Sequence, residues 1–177
     1  VDYQIRKALI SERHKIQELI VNSARQLSRE DYSNSQIEAA IRQVYGVDTN
    51  LIDDGTYFVA EKDGELIGCG GWSRRRTLFG GDQFSNRDSS ELDPQTEPAK
   101  IRAFFVHPDF ARQGIARAIL FRCEAEAKTC GFRSLELMST LPGIRLYEAC
   151  GFEKAEPAEH EVDGVTIPFV VMNKQLD

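Results

Sequence analysis

One stretch, Ile101 to Leu120, constrains the fold more than any other part of the chain. Its apolar run from Ala103 to Val106 is too short for a helix and reads as a buried strand. Pro108 has no backbone N–H and fixes its own φ, so with Asp109 it stops that strand. Two small residues, Gly114 and Ala116, then stand where a helix begins. Ile115, Ala118 and Ile119 continue at helical spacing toward a terminator at Gly131. Strand, small-residue turn and helix mouth together make an anion site, because the first helical turn leaves N–H groups unpaired and its dipole favours negative charge. One such interaction contributes only about 0.3–1 kcal/mol when exposed. A diphosphate therefore needs several donors at once, and small side chains let the backbone come close enough to supply them.

Two phosphate-binding patterns are missing: neither Gly-x-x-x-x-Gly-Lys-Ser/Thr nor Gly-x-Gly-x-x-Gly occurs here. The stretch resembles instead the acyl-CoA diphosphate turn of the GNAT N-acetyltransferases, Gln/Arg-x-x-Gly-x-Gly/Ala after a strand ending in Val-x-Pro. Val106-His107-Pro108 and Gly114-Ile115-Ala116 match that pattern, while Ala111 stands where the family usually carries Gln or Arg. A second match is Leu146 to Glu153, with Tyr147 four residues before Gly151-Phe152 on a helix. Both occur in the family's order, and the resemblance covers nearly the whole chain. It implies an α/β (α+β mixed) fold in a single domain, residues 1–177. The sheet has about seven mostly antiparallel strands with a central splayed parallel pair, flanked by about four helices.

The resemblance also implies a chemistry, transfer from acetyl-CoA as co-substrate, with no metal, to a primary amine of a small molecule or peptide. The backbone of Phe104, Phe105 and Val106 would bond the pantetheine arm, and an amide near Phe105 and Val106 would stabilise the oxyanion. Arg112, Gln113, Gly114, Ile115, Ala116 and Arg117 would surround the diphosphate, and Thr140 stands where an Asn often touches the cofactor. Tyr147 would protonate the departing thiolate. No base is apparent, since Lys100 and Leu135 occupy positions where relatives carry Glu; Glu136, His107, Glu97 or a water remain candidates. Deprotonating an amine of pKa ~10.4 at pH 7 costs about 4.6 kcal/mol, against roughly 1 kcal/mol for an α-amino group. A site without a carboxylate base therefore suits an amine of low pKa. Two other readings stay open, an acyl-CoA-binding sensor without transfer and a transferase for a longer acyl group.

The remaining chain fits this frame. Asp2 to Leu9 reads as a first strand, and Ser11 can cap a helix with Ile16, Leu19, Ile20, Ala24 and Leu27 on one stripe. Ser35 and Glu38 read as a capping box for a second helix, with Ile37, Ala40, Ile41 and Val44 buried and Gly46 closing it. Thr56–Ala60 and Glu65–Cys69 form a hairpin across Asp63-Gly64, and Gly68, Gly70 and Gly71 permit a bulge or close approach. Trp72 and Arg74 to Arg76 lead into a polar segment, 80–98, which is either a plain surface loop or a lid on the acceptor. The three arginines could hold an acidic substrate or a CoA phosphate, or simply end a strand in solvent. Ser134–Met138 is a further strand, Gly143–Ala149 a short helix, and Lys154–Val162 and Val165–Lys174 a closing hairpin at Asp163-Gly164.

At 177 residues the chain can bury one core. Its net charge of −6 argues against general nucleic-acid binding. No run of eighteen apolar residues and no signal-peptide core appear, which points to a cytoplasmic protein off the membrane. Four cysteines without Cys-x-x-Cys spacing fit free thiols in a reducing compartment. A homodimer through the C-terminal strand edge stays open.

Overall fold

Asp63-Gly64 and Asp163-Gly164 each place both residues at positive φ (50° and 80°, 50° and 77°), the conformation a two-residue type I′ hairpin requires. In the computed structural model, which describes residues 2–85 and 87–177, they join β2 (Tyr57–Lys62) to β3 (Glu65–Ser73) and β6 (Glu153–Val162) to β7 (Val165–Gln175). With β1 (Gln4–Lys7), β4 (Ala99–Val106) and β5 (Ser134–Ser139) these form one sheet in the order β1-β2-β3-β4-β5-β7-β6. Every neighbouring pair is antiparallel except β4 and β5. That parallel pair is short, matching only Ala99 with Leu135 and Lys100 with Glu136, after which the two strands diverge.

Five helices cover the sheet: α1 (Arg13–Leu27), α2 (Asn34–Gln43), α3 (Thr49–Asp53), α4 (Ile115–Thr129) and α5 (Ile144–Ala149). The sequence reading gave about four, and α3 is the one it missed. This short helix is capped by Asp48, whose carboxylate accepts the Asn50 N–H (3.0 Å). The cap of α2 also lies two residues earlier than expected. Ser33 has the extended backbone a cap needs and takes the Gln36 N–H (3.2 Å), while Gln36 takes the Ser33 N–H (2.9 Å). Ser35 is already inside the helix, and Glu38 pairs with Arg25 instead (2.8 Å).

The expected buried strand at Ala103–Val106 is corrected by the structure. The buried half of β4 is Ala99–Arg102, and the half from Ala103 onward is only partly covered, because β5 has moved away and left a cleft beside it. Ala103 has φ of 54° and sits where the β3–β4 register slips, a bulge that puts Arg102 and Ala103 on one face. Past the bulge, Phe105 packs in the core under α1 and α2, whereas Phe104 and Val106 pack in the core under α4. The glycines of β3 fit this geometry. A Cβ at Gly70 would lie 2.8 Å from the Phe104 ring, and one at Gly68 would lie 2.7 Å from Ile115.

The segment 80–98, apart from Asn86, which lies outside the described residues, is tied down along its length. Its far end pairs back on the end of β3, with Arg76 N–H to the Ser90 carbonyl and Leu92 N–H to the Arg74 carbonyl (both 2.8 Å). Arg75 pairs with Asp54 (2.7 Å), Arg76 with Glu97, and Arg74 lies over Trp72. Arg75, which also donates to the Ser89 carbonyl (3.1 Å), and Arg76 thus hold this segment in place.

Candidate active site

Divergence of β4 from β5 opens a cleft of about 510 Å³ between the C-terminal part of α1, the outer half of β4, the mouth of α4 and the Thr140–Gly143 turn. Behind it lies a smaller pocket of about 70 Å³, walled by Val44–Gly46, Leu78–Gly81, residues 101–105 of β4 and Leu137–Met138 of β5. Five residues, Tyr45, Phe104, Phe105, Thr140 and Tyr147, line both cavities and so mark where they meet.

At the mouth of α4 the backbone is shaped to receive an anion. Arg112 and Gly114 both have positive φ (61° and 84°), and Gly114 is the N-cap. Ala118 N–H closes the first helical bond, to the Gly114 carbonyl (3.0 Å), so the amides of Ile115, Ala116 and Arg117 have no partner within the helix. Alternating left-handed residues before a helix turn successive N–H groups toward one concavity. A Cβ at Gly114 would meet no protein atom within 4 Å, so the space in front of the helix is open. Gly114→Val should both strain a left-handed position and fill that space. Calorimetry should show acetyl-CoA affinity falling roughly tenfold or more, and wild-type affinity in a folded variant would contradict the site.

The structure brings Phe104, Phe105, Val106, Arg112, Ala116, Thr140 and Tyr147 to the cleft. Gln113, Gly114, Ile115 and Arg117 do not line it with side chains. Ile115 is buried in the core, Arg117 lies over Phe121, and Gln113 reaches back to the Asp109 carbonyl (3.5 Å). What these four residues present at the α4 mouth is backbone rather than side chain. Ala111, the departure from the family pattern, is at the cleft, and the cationic Arg112 and Arg29 also border it.

Tyr147 is 8% exposed, with its ring edge-on to Phe104 and Phe152. Burial pushes its phenol well above the usual value near 10, so it stays protonated and has a proton to donate. The base candidates lie elsewhere. Glu136 is paired with Lys100, Glu97 with Arg76, and His107 faces Glu65 at 3.5 Å. Among the described residues no carboxylate or imidazole lines the inner pocket, and no cluster of three metal-ligating side chains occurs.

Sequence reasoning missed Tyr45, Phe79 and Arg102, none of which stands in a motif. Tyr45 packs edge-on to Phe105, and its hydroxyl is buried with no hydrogen-bond partner. Phe79 is stacked on His160 (ring centroids 4.6 Å) and edge-on to Phe84 and Phe169, which fixes its segment as a pocket wall. Arg102 is buried; it donates to the carbonyls of Thr77 (3.2 Å) and Gly80 (2.6 Å) and pairs with Asp48 (3.0 Å). Asp48 in turn holds Arg87 (2.6 Å).

The profile described as "Acetyltransferase (GNAT) family" matches residues 21–152. Solved structures share the fold at low identity. A GCN5-related N-acetyltransferase from Rhodopseudomonas palustris superposes with a TM-score of 0.74 at 17% identity, covering 99% of this chain and 97% of that one. The PaiA N-acetyltransferase of Thermoplasma acidophilum, in complex with coenzyme A, gives 0.66 at 18% identity over 99% of each chain. The ribosomal-protein-S18-alanine N-acetyltransferase of Escherichia coli gives 0.60 at 15% identity, covering 99% and 95%. No curated protein matches the sequence.

Proposed function

Because the chain belongs to the GNAT acetyltransferase family, we propose that it moves the acetyl group of acetyl-CoA to a primary amine by direct attack through a tetrahedral intermediate. The observation that carries this reading is the junction of cleft and inner pocket at the β4–β5 divergence, with Tyr147 on both sides of it. The cleft takes the cofactor, its diphosphate at the α4 mouth and its pantetheine arm along β4. The structurally similar PaiA protein, which holds coenzyme A, supports this assignment.

Strand alternation sharpens the oxyanion site. His107 N–H bonds the Ile67 carbonyl (2.9 Å), and Phe105 pairs with Cys69, so those amides face β3. One residue between them, the Val106 amide points the other way, into the gap left by β5. Val106 N–H is therefore our donor to the carbonyl oxygen. Nitrogen attacks the carbonyl carbon, the C–S bond breaks, and the sulfur takes the Tyr147 proton. The proton lost from nitrogen then restores the phenol. With no base lining the pocket, the amine must arrive neutral, and desolvation in an apolar pocket favours that form.

The same lack of a base favours, as a second reading, an acyl-CoA-binding module without transfer. Thiol release from acetyl-CoA across a panel of amines separates the two. Release with one or more amines is expected, and cofactor binding without any release would favour the sensor. A longer acyl donor would show itself as release from that donor in preference to acetyl-CoA. The four unpaired cysteines support a reducing, cytoplasmic location, and no described helix is long and apolar enough to cross a membrane.

A further inference from the structure

The inner pocket constrains its occupant by size, charge and access. Its volume, about 70 Å³, is below the roughly 150 Å³ of an apolar cavity that admits benzene. Its side-chain walls include Val44, Leu78, Phe79, Phe105, Leu137 and Met138. Among the described residues Arg102 is the one charged side chain on it, and Asp48 pairs with that charge. Nothing lining the pocket matches a second ammonium group, and an unpaired charge there would bear the full desolvation cost.

The elements that surround the two cavities are fastened to one another. The Tyr32 hydroxyl donates to the Pro168 carbonyl (2.6 Å) and accepts the Leu141 N–H (3.0 Å), which bridges the α1–α2 link to β7 and to the turn after β5. Gln36 donates to the Thr166 carbonyl (3.0 Å), and Arg42 pairs with Asp163 (3.2 Å), fastening α2 to the β6–β7 hairpin. Phe79, stacked on His160, forms one wall of the pocket. A pocket of about 70 Å³ does not enclose a peptide chain. Among the described residues that line the pocket, the Tyr45 hydroxyl is a fully buried polar atom without a partner; Tyr45 is 6% exposed and borders both cavities. A buried hydroxyl without a partner costs about 1–3 kcal/mol, a penalty that a bound ligand can relieve.

Resting on the acetyltransferase reading, we propose that the acceptor is a compact, largely apolar monoamine that sits in the inner pocket with its polar end at the Tyr45 hydroxyl. Polyamines, amino acids with free carboxylates and peptides are then poor acceptors.

The test compares kcat/KM, expressed per unprotonated amine so that differences in amine pKa cancel, for short alkylamines, benzylamine, spermidine and an alanine-headed tetrapeptide, read as thiol release from acetyl-CoA. Compact monoamines should exceed spermidine and the peptide by roughly tenfold or more, and preference for either of the latter overturns the proposal. Phe79→Ala should shift the ratio of benzylamine to propylamine upward by about tenfold with CoA affinity unchanged; an unchanged ratio in the folded variant counts against the pocket. Tyr45→Phe keeps the ring against Phe105 and removes one oxygen. It should raise the amine KM about fivefold or more while kcat holds, and an unchanged KM removes the anchor. If CoA binds but no amine turns over, the transferase reading fails separately. Calorimetry of the same amines on the CoA complex then decides the pocket's preference, tighter binding of spermidine or peptide again overturning it.

Discussion

Asp48→Ala should lower stability by about 3–5 kcal/mol, because it leaves the buried Arg102 guanidinium without its counter-charge. Asp48 and the Arg102 side chain are 2% and 3% exposed, and burial is the largest influence on Arg102, pulling its pKa down against the opposing effect of Asp48. The variant also loses the cap of α3 and the partner of Arg87, whose Nε is already buried without a hydrogen bond. In a domain of this size each kcal/mol shifts Tm by roughly 2–4 °C, so the drop is readily seen by calorimetry or urea denaturation. Adding Arg102→Met should recover a good part of the loss, since an apolar pair of similar volume carries no buried charge. No recovery in the double variant would mean that the Arg102 carbonyl contacts to Thr77 and Gly80, rather than its charge pairing, hold the pocket wall.

Tyr147→Phe should reduce kcat by about 10²-fold at saturating acetyl-CoA, the lower end for a positioned acid. A thiol of pKa ~8.5 is already a fair leaving group, so the phenol helps without being indispensable. Removing one oxygen leaves the ring packed against Phe104 and Phe152, so stability and CoA affinity should change little. The acid role fails if kcat stays within a factor of about two. Because Tyr147 borders both cavities, a change confined to amine KM would instead make it an acceptor contact.

The turn before α4 was readable because its signals are local. A strand, a proline, a left-handed glycine and a helix start fall within about fifteen residues of chain, and their geometry follows from backbone sterics wherever they occur. The Asp63-Gly64 and Asp163-Gly164 hairpins were readable for the same reason. Local signals also misled where two stood close together. Ser33-x-x-Gln36 and Ser35-x-x-Glu38 both spell a capping box, and only the observed extended backbone at Ser33 separates them.

The sequence by itself determined the family, the sheet hairpins, the small-residue turn before α4 and the placing of Tyr147 on a short helix. Tertiary structure alone decided the inner pocket. Ala103–Val106 is as apolar as a core strand, yet it lines a cleft because β5 pairs with β4 over two positions and then leaves it. Arg102 looked like one more charge on a strand, yet it is the buried tie between β4, Asp48 and the Thr77–Gly80 segment. Turn and cap energies depend on neighbours a few residues apart, whereas a cavity is the space left between segments that meet only after folding. Arg102 and Asp48, 54 positions apart in the chain, meet only in the folded molecule.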